Sequence, residues 1–312
     1  MAPLSGLLVV DLTRYLPGAY ASRELQRLGA RVVRIEPPEG DPLRDTAAAW
    51  HDALNAGKES VVCDLKSEDG RALARGLLAR ADVVLEGFRP GVAPRLGVGP
   101  DDARADAVYC SITGFGLEGP HVLRAGHDLN YVGWAGALDD TAPGLPPLQI
   151  ADLAAGALGA VTQILAALVA GGGARLTVSM THRSHDLVAH RVHGDPRPKL
   201  LTGGVACYRI YETADGRFLT VSALEPKFWQ RLCEVVGVPD LVEHQWEPRL
   251  PELERALASR TLAEWLDAFD GEDVCAGPVA TLAEAAREFG TDDLGSAPGL
   301  GEHTDAWRAE LR

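Results

Sequence analysis

The chain of 312 residues has no CxxC pair. Its five cysteines, Cys63, Cys110, Cys207, Cys233 and Cys275, are odd in number and far apart. That spacing suits neither a disulfide framework nor a cysteine zinc site, and a reducing, cytoplasmic compartment is expected. Positive charge is also scarce: 30 Lys and Arg face 44 Asp and Glu, for a net charge of −14. Proteins that grip nucleic acid concentrate basic residues on one surface, so nucleic acid is excluded as a partner. A small anionic ligand is not excluded, because a few local arginines suffice for it. The opening MAPLSGLLVVDLTR has no basic stretch before its short apolar run and does not read as a secretion signal. The longest apolar run, LAAGALGAVTQILAALVA at 153–170, contains small residues and Gln163 and follows an aspartate. It is expected to be a buried helix and not a membrane span.

Several catalytic fingerprints are missing as well. There is no phosphate-loop motif, no HExxH and no GxSxG, and LPGAY stands where a dinucleotide-binding domain would carry GxGxxG. His182 with His185, and His190 with His193, have HxxH spacing that could share a helix face. No matching Cys or carboxylate pattern accompanies them, so a solvated polar helix or linker is the better reading and no metal is expected.

What is present is an alternation of β-rich runs with helical patterns. LLVVDL (7–12), RVVRIE (31–36), SVVCDL (60–65), DVVLEG (82–87) and AVYCSI (107–112) read as strands. A helix opening near Pro17-Gly18 and a second, SEDGRALARGLLARA (67–81), lie between them, the latter started by Ser67. This order implies an α/β fold: a Rossmann-like parallel sheet with helices on both faces in a large domain. After the strand ARLTVSM (174–180) the texture changes. CYRIYETADGRFLTVSAL (207–224) reads as a hairpin and is followed by two helices, which predicts a small α+β domain. The expected organisation is a large domain over 1–190, a linker over 191–201, the small domain over 202–285, and a segment over 286–312 that returns to the large domain.

Four places can carry chemistry. His127, in GHDLNY, follows a strand end and a Gly-rich loop, where α/β sites form; it reads equally as a structural histidine or as an acid/base group. Asp152 precedes the apolar helix and is either an ordinary N-cap or a catalytic carboxyl. Glu225, before Pro226, reads as a cap-region acid. Gly203-Gly204 is either a plain turn or a point of close backbone approach to a ligand.

Taken together and in order, GLLVVDLTRYLPGAYASRELQRLGARVVRIEPPEGDPLR, NAGKESVVCDLKSEDGR, ADVVLEGFRPGVAPRLGVGP, YCSITGFGLEGP, AGHDLNYVGWAGAL, PPLQIADLAAG, YETADGRFLTVSALEPKFW, CAGPVATLAE and APGLGEHT resemble the class III CoA-transferase family of CaiB/BaiF type. AGHDLNY, PGAY and ALEPKFW are similar to the racemase members, whereas transferases usually carry an aromatic residue at the position of His127. The resemblance implies epimerisation of the 2-position of a 2-methylacyl-CoA by 1,1-proton transfer, with His127 and Asp152 as the acid/base pair and Glu225 supporting His127. Arg34, Lys58, Arg89 and Asp128 are the implied CoA contacts, for each of which an ordinary surface role is the alternative. No cofactor beyond the CoA of the substrate is implied, and the partner is a second copy in an interlocked homodimer. Two other readings stay open: CoA transfer with Asp152 as nucleophile, and a CoA-binding paralogue without turnover. Two stretches, 190–203 and 284–297, are shorter than the family pattern and bear on the interlocking.

Overall fold

The computed structural model describes residues 2–290 and 295–312. The chain falls into two compact units, residues 1–190 with 293–312 and residues 191–292.

The first unit is built on six parallel strands: β1 (Leu8–Asp11), β2 (Arg31–Glu36), β3 (Glu59–Val62), β4 (Val83–Glu86), β5 (Val108–Thr113) and β6 (Arg175–Ser179). Their spatial order is β3-β2-β1-β4-β5-β6. Residues alternate between two cores, as a strand with both faces covered requires. Val9, Val32, Val83, Val108 and Cys110 join one core with Ala21, Leu25 and the alanines of the long apolar helix. Their neighbours Val10, Val33, Val84 and Tyr109 join the other, with Leu73, Leu77, Leu78 and Trp307. Helices therefore cover both faces, as expected. The helix Glu68–Leu78 starts where Ser67 predicts it, with the Ser67 hydroxyl accepting from the Gly70 N–H at 3.0 Å.

The apolar run forms one helix over Ile150–Val169, π-wound over Ile150–Leu158. It packs against the helices Tyr15–Arg27 and Met180–Val188. Its small residues allow a close approach: a Cβ on Gly156 would lie 3.0 Å from the Met180 side chain. The outer strand β3 is covered by the C-terminal segment. The Val62 N–H donates to Thr304 Oγ1 at 3.0 Å, and the His303 N–H donates to the Ser60 carbonyl at 2.9 Å. Trp307 Nε1 donates to Glu59 at 2.6 Å, and Arg31 lies over the Trp307 ring. This blunts an edge that would otherwise pair with another chain.

The second unit holds three antiparallel strands, β7 (Tyr208–Glu212), β8 (Phe218–Ser222) and β9 (Ala276–Pro278). Its core gathers Trp229, Leu232, Leu253, Leu257 and Trp265. The expected hairpin and both helices form, as Pro226–Val236 and Leu262–Phe269. The three-residue β9 is too short to leave a periodic signal. The helix Leu282–Phe289 groups with the second unit, and its Glu284 pairs with Arg217 beside the hairpin turn at 2.9 Å. The shortened stretch around 284–297 includes residues 291–294, which lie outside the described residues.

Candidate active site

In a sheet of this order the chain turns left from one central strand and right from the next, so the loops after β1 and β4 diverge and open a crevice at the carboxyl ends. A cavity of about 400 Å3 lies there. Thr13–Tyr15 come from the loop after β1 and the start of the helix that follows, Phe88–Pro90 from the loop after β4, and Gly114–Gly116 with Val122 and Arg124–His127 from the long loop after β5. Tyr131, Asp152 and Met180 complete it. His127 and Asp152, 25 positions apart, thus line one cavity.

Local sequence explains the geometry. Asp11, buried at the end of β1, accepts from the Thr13 N–H (2.8 Å), the Thr13 hydroxyl (2.5 Å) and the Ser22 hydroxyl (2.6 Å). This folds the β1 loop back onto the first helix. Gly18 is needed there, because a Cβ would lie 2.0 Å from Thr13 Oγ1. Tyr15, at the cavity, sits at φ 63°, a left-handed conformation that costs a non-glycine residue about 1–2 kcal/mol. The Tyr131 ring fits between Gly114 and Gly126, where a Cβ would come within 2.6 and 2.8 Å of it, and its hydroxyl donates to the Gly126 carbonyl at 2.5 Å. Gly126 and Tyr131 therefore hold the loop that presents His127.

His127 stands at the N-cap of the helix Asp128–Trp134, with its N–H donating to Asn130 Oδ1 at 3.0 Å. Its imidazole is not used as a cap and is exposed. Asp152 lies in the first turn of the π-wound segment, half-buried, and its N–H donates to Asp128 Oδ1 at 2.9 Å. Burial, and then the negative charge of Asp128, push the Asp152 carboxyl up to about 7. An acid in that range gives and takes protons near neutrality. Burial also raises the Tyr131 hydroxyl; the charge of Asp152 adds to this and Arg89 opposes it.

The other sequence candidates separate. Arg89 lines the cavity and is exposed. Arg34 does not: it is 1% exposed, donates to Asp41 at 2.7 Å and to the Thr13 carbonyl at 3.4 Å, and lies 3.8 Å from Asp11. Lys58 is buried too, with its ammonium donating to the Ala19 carbonyl, the Ser22 hydroxyl and Asn55 Oδ1 at 2.8–3.0 Å. Burial drives its pKa well below the usual lysine range. Both cations, expected as CoA contacts, are buried and donate within the protein, unlike Arg89. Asp128 holds the main chain at Asp152. Gly204 approaches its own chain, since a Cβ there would lie 2.5 Å from Lys199, whereas Gly203, at φ 87°, has open space where its Cβ would be. Glu225, in the second unit, is the exposed N-cap of Pro226–Val236. Its neighbour Leu224 is fixed through its carbonyl by the buried Gln245 at 2.8 Å. His182 and His185 engage Ser179 and the Ala135 carbonyl, and no cluster that could hold a metal occurs among the described residues.

Sequence reasoning missed Arg14, Arg124 and Tyr131 as cavity residues. Only the long loops bring them together, although the glycines around Tyr131 were visible in GFG and AGH. It also missed a second cavity, of about 290 Å3, beside the ends of β1–β3. Arg14, Lys66, Glu39 and Asp64 line it, and it shares Arg14 and Phe88 with the first.

Fold and site together define a doubly wound α/β protein with a ligand cavity at its switch point, lined by a histidine, a carboxyl poised near neutrality and several arginines. The model of CoA-transferase family III matches residues 4–303, and the chain belongs to that family. It is 33% identical to the human alpha-methylacyl-CoA racemase over 94% of this chain and 82% of that protein. It is also 33% identical to a probable fatty acyl-CoA transferase of Mycobacterium tuberculosis, over 97% and 89% of the two chains. The acetyl-CoA:oxalate CoA-transferase of Acetobacter aceti is 31% identical over 91% and 82%. Among solved structures, a CaiB/BaiF family protein from Brucella suis superposes with a TM-score of 0.84 at 26% identity, covering 99% of both chains. The family is enzymatic and contains both racemases and CoA-transferases.

Proposed function

We propose that this protein epimerises the 2-position of a 2-methylacyl-CoA thioester. A thioester acidifies its α-carbon. One residue takes the α-proton, the C–H electron pair moves into the enolate, and a second residue delivers a proton to the opposite face. His127 and Asp152 are the two groups, and each can act in either direction because the product of one direction is the substrate of the other. The observation that carries this reading is the Asp152 carboxyl poised at about 7 in the cavity that His127 also lines.

The enolate oxygen needs a donor. The Asp152 N–H is already engaged by Asp128, so of the two helix starts the main chain at Asp128 is the better source. The phosphates of CoA call for exposed cations, and Arg14, Arg89 and Lys66 supply them, with the nucleotide end in the second cavity.

The alternative is CoA transfer, in which the ionised Asp152 attacks the thioester; the transferase relatives favour it. A carboxyl that is half protonated at neutrality suits proton transfer better than nucleophilic attack. The test is to incubate the protein with a 2-methylacyl-CoA in deuterated water and follow the α-proton by NMR. Exchange with loss of stereochemistry is the expected result. CoA passing to an added carboxylate without exchange, or CoA binding with neither reaction, contradicts the proposal.

A further inference from the structure

The two cavities meet at Arg14 and Phe88. With the nucleotide end in the second cavity, as read above, the thioester passes those residues to reach His127 and Asp152. The wall beyond them, formed by the loop after β5 and the start of the next helix, then faces the acyl group. That wall is largely apolar, with Phe115, Val122 and Ala125, to which Met180 at the start of the helix Met180–Val188 adds, and it carries a single Lys or Arg side chain, Arg124.

Arg124 is held in place by aromatic packing. Its guanidinium lies 5.0 Å from the centre of the Trp134 ring. Trp134 in turn sits 4.3 Å from the His121 ring and meets Phe115 edge-on at 6.3 Å. Stacking uses the face of a guanidinium and leaves its edge N–H groups for a planar acceptor. Several arginines at or near the surface are paired: Arg104 with Asp82 and Asp106, Arg217 with Glu284, and Arg249 with Glu254. Arg124 has no carboxylate partner among the described residues, in a chain with 44 acids to 30 bases.

We propose that Arg124, stacked on Trp134, forms an acyl-end subsite for a carboxylate, and that the substrates are mono-CoA thioesters of branched dicarboxylic acids. The proposal rests on the acyl-CoA reading above but not on which reaction follows, so binding tests it without turnover. The protein and its Arg124→Met variant are titrated calorimetrically with two esters matched in length, 2-methylglutaryl-CoA and 2-methylpentanoyl-CoA. Wild type is expected to bind the carboxylate ester about tenfold tighter. Arg124→Met is expected to lose that preference while keeping its affinity for the neutral ester, and Arg124→Lys to keep part of it. Equal binding of both esters by wild type overturns the proposal. So does an Arg124→Met variant that weakens both equally, since the guanidinium then serves the CoA phosphates. If neither ester binds, the acyl-CoA reading itself fails and the subsite with it.

Discussion

Two sets of cations in the first unit are close in sequence pattern and opposite in physical state. Beneath β1 and β2, Arg34 and Lys58 are buried and bonded to Asp41, Ser22, Asn55 and main-chain carbonyls. At the carboxyl ends of the strands, Arg89 and Arg124 are exposed and line a cavity. Arg34 lies within β2 and Lys58 just before β3, whereas Arg89 and Arg124 lie in the loops after β4 and β5. What separates them is whether their donors are already spent. A buried cation that donates to internal acceptors shapes the fold; a rim cation with open donors can meet an anion.

The comparison can be broken by substituting one residue from each set. Arg34→Ala strands the buried carboxylates of Asp41 and Asp11 and is expected to cost about 3–5 kcal/mol in urea unfolding. Arg89→Ala is expected to change stability by no more than about 0.5 kcal/mol, and to weaken CoA-thioester binding about tenfold. An Arg34→Ala protein as stable as wild type but deaf to CoA would reverse the two roles.

A smaller effect sharpens the contrast for acids. Asp152 titrates at about 7 in the folded chain, against an ordinary 3.8. Its folded pKa is the higher one, so between those values the folded state holds a proton that the unfolded state has released. Stability from this residue is therefore present at pH 4 and lost as pH rises to 7. Because the side chain is only half-buried, about 2 kcal/mol is expected across that window and not the full conversion. Thermal unfolding of Asp152→Asn should show a correspondingly flatter pH dependence than wild type. Identical slopes for the two proteins would mean that the carboxyl is not perturbed.

Much of this architecture was legible in the sequence. Strand edges, the Ser67 cap and the hairpin follow from local chemistry, and the switch-point cavity follows from the strand alternation. His127 and Asp152 were legible as candidates because a Gly-rich loop and an apolar helix start are positions where polar groups stay accessible. The burial of Arg34 and Lys58 was not legible, because it depends on partners such as Asp41 and Asn55, which no local pattern announces. Arg124 was hidden for the converse reason: its meaning comes from Trp134, ten residues away, and from a cavity that only the folded chain creates.

That His127 and Asp152 act from opposite faces of one α-carbon is tested most directly by following deuterium uptake separately from the two enantiomers of a 2-methylacyl-CoA in His127→Ala and in Asp152→Asn. Each variant is expected to keep exchanging the α-proton of one enantiomer and to lose the other, with the surviving enantiomer different in the two variants. Survival of the same enantiomer in both, or undiminished exchange of both, would contradict the pairing.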